Sequence, residues 1–101
     1  MGCTKNTPKY NSDDIQKGLG NLNQWQAVDE QKWLEKEFKF KDFVATLDFV
    51  NKVGAQAETI NHHPNIEFTW GFCKIRIQTH AVSALCKEDF DLAKLIDSID
   101  Q

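Results

Sequence analysis

No stretch of this sequence approaches 18 consecutive apolar residues, so no membrane-spanning helix is expected. The N-terminus also lacks the apolar core of a signal peptide. Basic charge is not in excess: 12 Lys and Arg stand against 15 Asp and Glu, a formal net charge of −3. A nucleic-acid binder needs a basic patch to meet phosphate, so direct binding of nucleic acid is not expected. Cysteine is sparse. Cys3, Cys73 and Cys86 are odd in number and form no C-x-x-C spacing. That excludes a dense disulfide framework and an all-cysteine zinc site, and it points to a reducing compartment. Internal repeats and low-complexity segments are absent too.

What is present is a globular composition: 41% hydrophobic residues, with seven Phe and three Trp, in 101 residues. This is room for one domain. A chain of this length buries only about 60–70% of its unfolded surface, so its core is small and oligomerisation is a natural supplement. Residues 1–11 read as a flexible polar leader and 12–101 as the folded domain. The start Met1-Gly2-Cys3 is like a dual-acylation signal. The myristoylation pattern, however, wants Ser or Thr at position 6, where this chain has Asn6.

Seven elements follow from the periodicities. Ser12 before Asp13 and Asp14 reads as a helix start, since a hydroxyl caps free N–H groups and acids suit the positive end of the dipole. Ile15, Leu19 and Leu22 are this helix's apolar positions, and Gly18 and Gly20 weaken it. A short strand over about Gln24 to Val28 and a second over about Lys32 to Phe40 form a hairpin across Asp29-Glu30-Gln31. In the second strand Leu34, Phe38 and Phe40 alternate with Glu35, Glu37 and Lys39. From Lys41 to about Asn61 the period becomes helical, with one stripe at Phe43, Leu47, Val50, Gly54 and Ala57 and another at Phe49, Val53 and Ile60. Two stripes imply burial on two sides, against the sheet and against another helix or subunit. Pro64 stops this helix. Strands over Ile66 to Trp70 and Phe72 to His80 turn at Gly71, and a last helix from about Lys87 carries Leu92, Leu95, Ile96 and Ile99. The expected fold is therefore α+β, a four-stranded antiparallel sheet with helices packed on one face, in the order α-β-β-α-β-β-α. An open edge strand would invite a second chain.

All three histidines stand at element ends: His62 and His63 where Pro64 stops a helix, and His80 at the end of a strand. Such ends face clefts, and imidazole exchanges protons near pH 7. If the last two strands pair, the three rings converge. Glu58 lies four residues before His62 on the same helix face, and Asp89 sits in the first turn of the last helix; either carboxylate favours an imidazolium. Each residue also has a plain structural explanation. A histidine at a helix end caps or is solvated, Glu58 is a surface charge, Asp89 stabilises a helix start, and Trp25 and Trp70 are packing. Three imidazoles are also a zinc set with an open fourth position, although no His-x-x-x-His pair fixes two ligands on one helix.

The pattern Asn61-His62-His63-Pro64, then Trp70, then Thr79-His80 resembles the pterin-4a-carbinolamine dehydratases. Trp25, the run Phe38-Lys39-Phe40-Lys41-Asp42-Phe43, Gln56-Ala57-Glu58, and Asp89 with Leu92-Ala93 fit the same family, from about Ile15 to Ile99. The resemblance implies removal of water from 4a-hydroxytetrahydrobiopterin to give quinonoid dihydrobiopterin, recycling the cofactor of aromatic amino acid hydroxylases. It implies His62 and His80 as the acid–base pair and His63 binding and polarising the pterin, with the division of labour among the three open. Glu58, Asn61, Thr79, Asp89 and Trp25 are implied substrate contacts or tuners. No metal or organic cofactor is required. The implied partners are the pterin and further copies of the chain, as homodimer or homotetramer, in the cytoplasm with a nuclear pool also open. The family offers one more role, as dimerisation cofactor of a transcription factor. Three departures stand out: Asn61 replaces a frequent Asp, Cys86 replaces a capping Ser or Thr, and Asn65-Ile66 replaces a more aromatic stretch.

Overall fold

The computed structural model describes residues 9–99. Along them run α1 (Ser12–Gly20), β1 (Gln26–Val28), β2 (Trp33–Lys39), α2 (Phe43–Ile60), β3 (Asn65–Thr69), β4 (Phe72–Ile77) and α3 (Lys87–Asp97). The expected α+β order is borne out. The sheet order is β1-β2-β4-β3, with every neighbouring pair antiparallel. Alternation places Leu34 and Phe38 of β2 and Cys73, Ile75 and Ile77 of β4 on the buried face. Phe49, Val53 and Ala57 of α2 and Leu92, Ala93 and Ile96 of α3 complete one core with them. Each such large side chain contributes about 1.5–3 kcal/mol on burial. Burial also pushes the Cys73 thiol up to about 11, leaving it an inert packing group.

Lys36 breaks the apolar alternation of β2 and is nonetheless buried. Its ammonium meets Asp97 Oδ1 at 2.9 Å and lies over the rings of Phe38 and Trp25 at 4.8 and 5.9 Å. Asp97 also accepts from the Trp25 indole N–H at 2.8 Å and the Asn23 backbone N–H at 2.9 Å. A buried cation is thus paired, and the segment before β1 is bound to the end of α3.

The cap of α1 and the buried face of α2 differ from the sequence-based expectations. The cap of α1 is Asn11, one residue before Ser12: its side chain accepts from Asp14 N–H at 2.8 Å while its own N–H donates to Asp14 at 3.0 Å. Ser12 instead donates to the Gln31 side chain at 3.1 Å. Residues 1–8 of the expected leader, with the Met1-Gly2-Cys3 start, lie outside the described residues. Tyr10, in its last part, donates its N–H to Leu85 O at 2.8 Å and packs on Phe90. In α2 the buried stripe is Thr46, Phe49, Val53 and Ala57. Phe43, Val44 and Leu47 at its start are exposed, as are Phe68 in β3 and Trp70 just after it.

Two glycines answer to geometry. Gly71 has φ +74° in the tight connection from β3 to β4, where its carbonyl accepts from Phe40 N–H at 2.9 Å. Gly18 lets α1 lie against Phe90, whose ring would stand 2.5 Å from an added Cβ. Gly18→Ala gains about 1 kcal/mol of helix propensity but overpacks this contact by about 1–3 kcal/mol. The expected outcome is a lowered urea midpoint; an unchanged or raised midpoint would mean that Phe90 swings aside freely.

Candidate active site

The end of α2 sets the site. Asn61 takes the left-handed conformation (φ 50°, ψ 45°), which Asn tolerates better than most residues. Its N–H donates to Glu58 O at 3.3 Å, and His62 N–H donates to Ala57 O at 3.2 Å, closing the helix in a Schellman turn. This reversal sends the two adjacent histidines apart: His62 is buried and His63 exposed. The strand after Pro64 then pairs Asn65 with Arg76 of β4. The histidine pair before β3 and Thr79-His80 after β4 are therefore brought to one end of the sheet.

Asp89 waits there. It is fully buried in the first turn of α3 and three donors reach it. His62 Nε2 lies 2.6 Å from Oδ1, while Oδ2 accepts from Thr79 Oγ1 at 2.7 Å and from Cys86 N–H at 2.8 Å. Three convergent donors at a helix N-terminus are what a carboxylate requires in an interior site. Facing that carboxylate, Nε2 is the proton-bearing nitrogen of His62, and Nδ1 makes no hydrogen bond among the described residues. The Thr79 hydroxyl also lies 3.0 Å from Cys86 Sγ. Cys86, where a Ser or Thr cap was expected to be missed, has its N–H satisfied by Asp89 itself.

The other expected site residues divide. His63 Nε2 lies 2.5 Å from Glu58 Oε2 in a solvent-exposed pair, worth at most about 1 kcal/mol to the fold. His80 is exposed in the tight turn between Thr79 and Ala84, which bridge each other. All three imidazoles thus hang on backbone adjoining the Asp89 network: His62 directly, His63 and His80 each one residue beyond a member of it. Trp25 is elsewhere. It is buried and bound to Asp97, eight residues along α3 from Asp89, or about 12 Å at the helical rise. Trp33, not singled out from the sequence, stands edge-to-face with His80 at 5.8 Å. No periodicity signalled it, because its role depends on a register between β2 and the turn after β4.

Among the described residues no three His, Cys, Asp or Glu side chains cluster as a metal site. The three-histidine zinc arrangement is not formed, since His62 and His63 each face a different carboxylate. A polar groove of about 280 Å³ beside β1, lined by Gln24, Gln26, Glu35, Lys36 and Glu37, holds no histidine.

Asp89→Ala strands a buried imidazole N–H, a hydroxyl and a backbone N–H together. The expected cost is about 3–5 kcal/mol in urea unfolding, with Asp89→Asn losing less. A loss below about 1 kcal/mol would mean that water replaces the carboxylate at no penalty.

The profile of the pterin 4 alpha carbinolamine dehydratase family matches residues 8–99. A Rickettsia canadensis protein, named provisionally as a pterin-4-alpha-carbinolamine dehydratase, is 43% identical over 97 residues, covering 95% of this chain and 88% of its own. A Methylococcus capsulatus protein of the same provisional name is 33% identical over 97 residues, covering 96% and 85%. The fold matches a crystal structure described as a transcriptional coactivator/pterin dehydratase from Brucella melitensis, with a TM-score of 0.85, 24% identity and coverage of 90% of this chain and 97% of that one. It also matches a pterin dehydratase-like protein described as a RuBisCO assembly factor in the alpha-carboxysome, with a TM-score of 0.65, 22% identity and coverage of 77% and 90%. With the match extending over nearly the whole chain, this protein belongs to the pterin-4-alpha-carbinolamine dehydratase family.

Proposed function

We propose that the protein dehydrates 4a-hydroxytetrahydrobiopterin to quinonoid dihydrobiopterin by histidine acid–base catalysis. The observation that carries this reading is the buried His62–Asp89 pair at 2.6 Å, with His63 and His80 on adjoining backbone. The reaction breaks the C4a–O bond, and the departing hydroxide takes a proton to leave as water. N5 loses its proton, and its electron pair forms the C4a=N5 double bond. One acid and one base suffice, and no electrons leave the pterin. His62, oriented by Asp89, and His80 act as this pair, while His63 polarises the ring. Asp89 and Thr79 hold His62, Asn61 sets the reversal that separates the two histidines, and Glu58 orients His63. Trp25, bound to Asp97, supports the fold around the site. The setting is the cytoplasm, where the product is returned to the cofactor pool of aromatic amino acid hydroxylases.

Positioned proton transfer contributes about 10²–10⁴-fold per group. His62→Ala and His80→Ala are each expected to lower kcat by a factor in that range, measured as the decay of enzymatically generated 4a-hydroxytetrahydrobiopterin. Wild-type turnover by the double variant would refute the reading.

The exposed apolar residues Phe43, Val44, Leu47, Phe68 and Trp70, with the open edge of β3, support a homodimer or homotetramer. Phe43→Lys with Leu47→Glu is expected to lower the mass seen by light scattering to that of a smaller species; an unchanged mass would place the subunit contact elsewhere. The same surface favours a second reading, a binding module for another protein such as a transcription factor. Capture of that partner would survive loss of all three histidines, whereas dehydration would not.

A further inference from the structure

We propose that Trp33 is a positioning residue that holds His80 in its reactive orientation, clamped for that purpose by Arg76. The inference deepens the dehydratase reading and rests on His80 acting there. His80 has a well-defined backbone: Thr79 and Ala84 bridge across its turn, and Ser83 N–H donates to His80 O at 3.2 Å. Its ring, however, is exposed and makes no hydrogen bond or ion pair among the described residues. An imidazole so placed is free to change rotamer, and a proton-transfer group that wanders by an ångström loses much of its effect. The aromatic ring of Trp33 meets it edge-to-face, with centroids 5.8 Å apart and planes at 75°. That is the favoured geometry of an aromatic pair.

Trp33 is itself held. It opens β2 opposite Val28, and the preceding Lys32 O accepts from the Gln78 side chain at 3.2 Å, which ties this corner to the residues leading into Thr79 and His80. The Arg76 guanidinium covers the Trp33 ring at 4.7 Å. Arg76 in turn pairs with Glu35 at 3.2 Å and with Asp29, the first of three successive residues of positive φ, Asp29, Glu30 and Gln31. None of the three is glycine, so the turn is a strained one that its surroundings must maintain. One side of the Trp33 ring is therefore engaged by a cation anchored on two strands and a turn, and the ring offers His80 a fixed wall.

The test is a double-mutant cycle with steady-state kinetics and NMR. Trp33→Leu is expected to lower kcat about three- to tenfold with KM within about twofold, and Trp33→Phe to recover most of it. In a His80→Ala background Trp33→Leu is expected to cause no further loss. The His80 ring protons, displaced upfield by the indole, should move towards solvent-exposed values in Trp33→Leu. The same fold-loss in both backgrounds, or unmoved His80 ring signals, would overturn the proposal while leaving the dehydratase reading intact. Full turnover by His80→Ala alone would remove both His80's catalytic role and this one. Should Trp33→Leu fail to fold, Arg76→Gln, which releases the clamp, must lower kcat in the wild-type background and not in His80→Ala.

Discussion

A carboxylate in the interior cannot stand alone, and the architecture around Asp89 follows from that constraint. Its position at the third residue of α3 places it within the favourable field of the helix N-terminus. Its three donors come from the segment after α2, from Thr79 two residues beyond β4 and from the residue that caps its own helix. The network therefore joins the end of α2, 27 residues away, and the turn after β4 to the start of α3, and none of them can drift without stranding a polar group. The proposed acid–base site and a stable helix junction are the same object here. The carboxylate that meets the imidazole also accepts from the Cys86 N–H at the start of α3.

Around that point the chain divides its histidines by exposure. The Schellman turn at Asn61 buries His62 and turns His63 outward to Glu58. The turn at Thr79 does the same for the next pair, with Thr79 inward on Asp89 and His80 outward on Trp33. Each reversal sends one side chain inward to Asp89 and leaves its neighbour exposed. α2 shows a comparable division on a larger scale. One face is packed on the sheet through Phe49, Val53 and Ala57, while Phe43, Val44 and Leu47 are exposed.

Much of this was legible in the residues. Alternation in β2 and β4 and the acids at the start of α3 mark their elements without any tertiary information, because local periodicity and helix electrostatics act within a few residues. The grouping of Asn61, His62, His63, Thr79, His80 and Asp89 was also readable as a pattern. Less legible were the features set by packing. Lys36 looks like a surface lysine and is buried, since Asp97 sixty-one residues away neutralises it. Trp25 reads as either a pocket wall or packing, and its hydrogen bond to Asp97 depends on a residue 72 positions away. Gly18 reads as a weak helix residue, when it is the space into which Phe90 fits.

By itself the sequence determined which segments are helix and strand and that they form an α+β fold, and it marked the titratable side chains of the candidate site, because those follow from spacing and residue chemistry. Which imidazole is anchored inside and which are presented to solvent was decided only by the tertiary structure. That depends on the left-handed turn at Asn61 and on the register pairing Asn65 with Arg76. The turn itself is local, but the contact that buries His62 joins it to Asp89, 27 residues away, and burial is a property of the assembled core that no single segment carries.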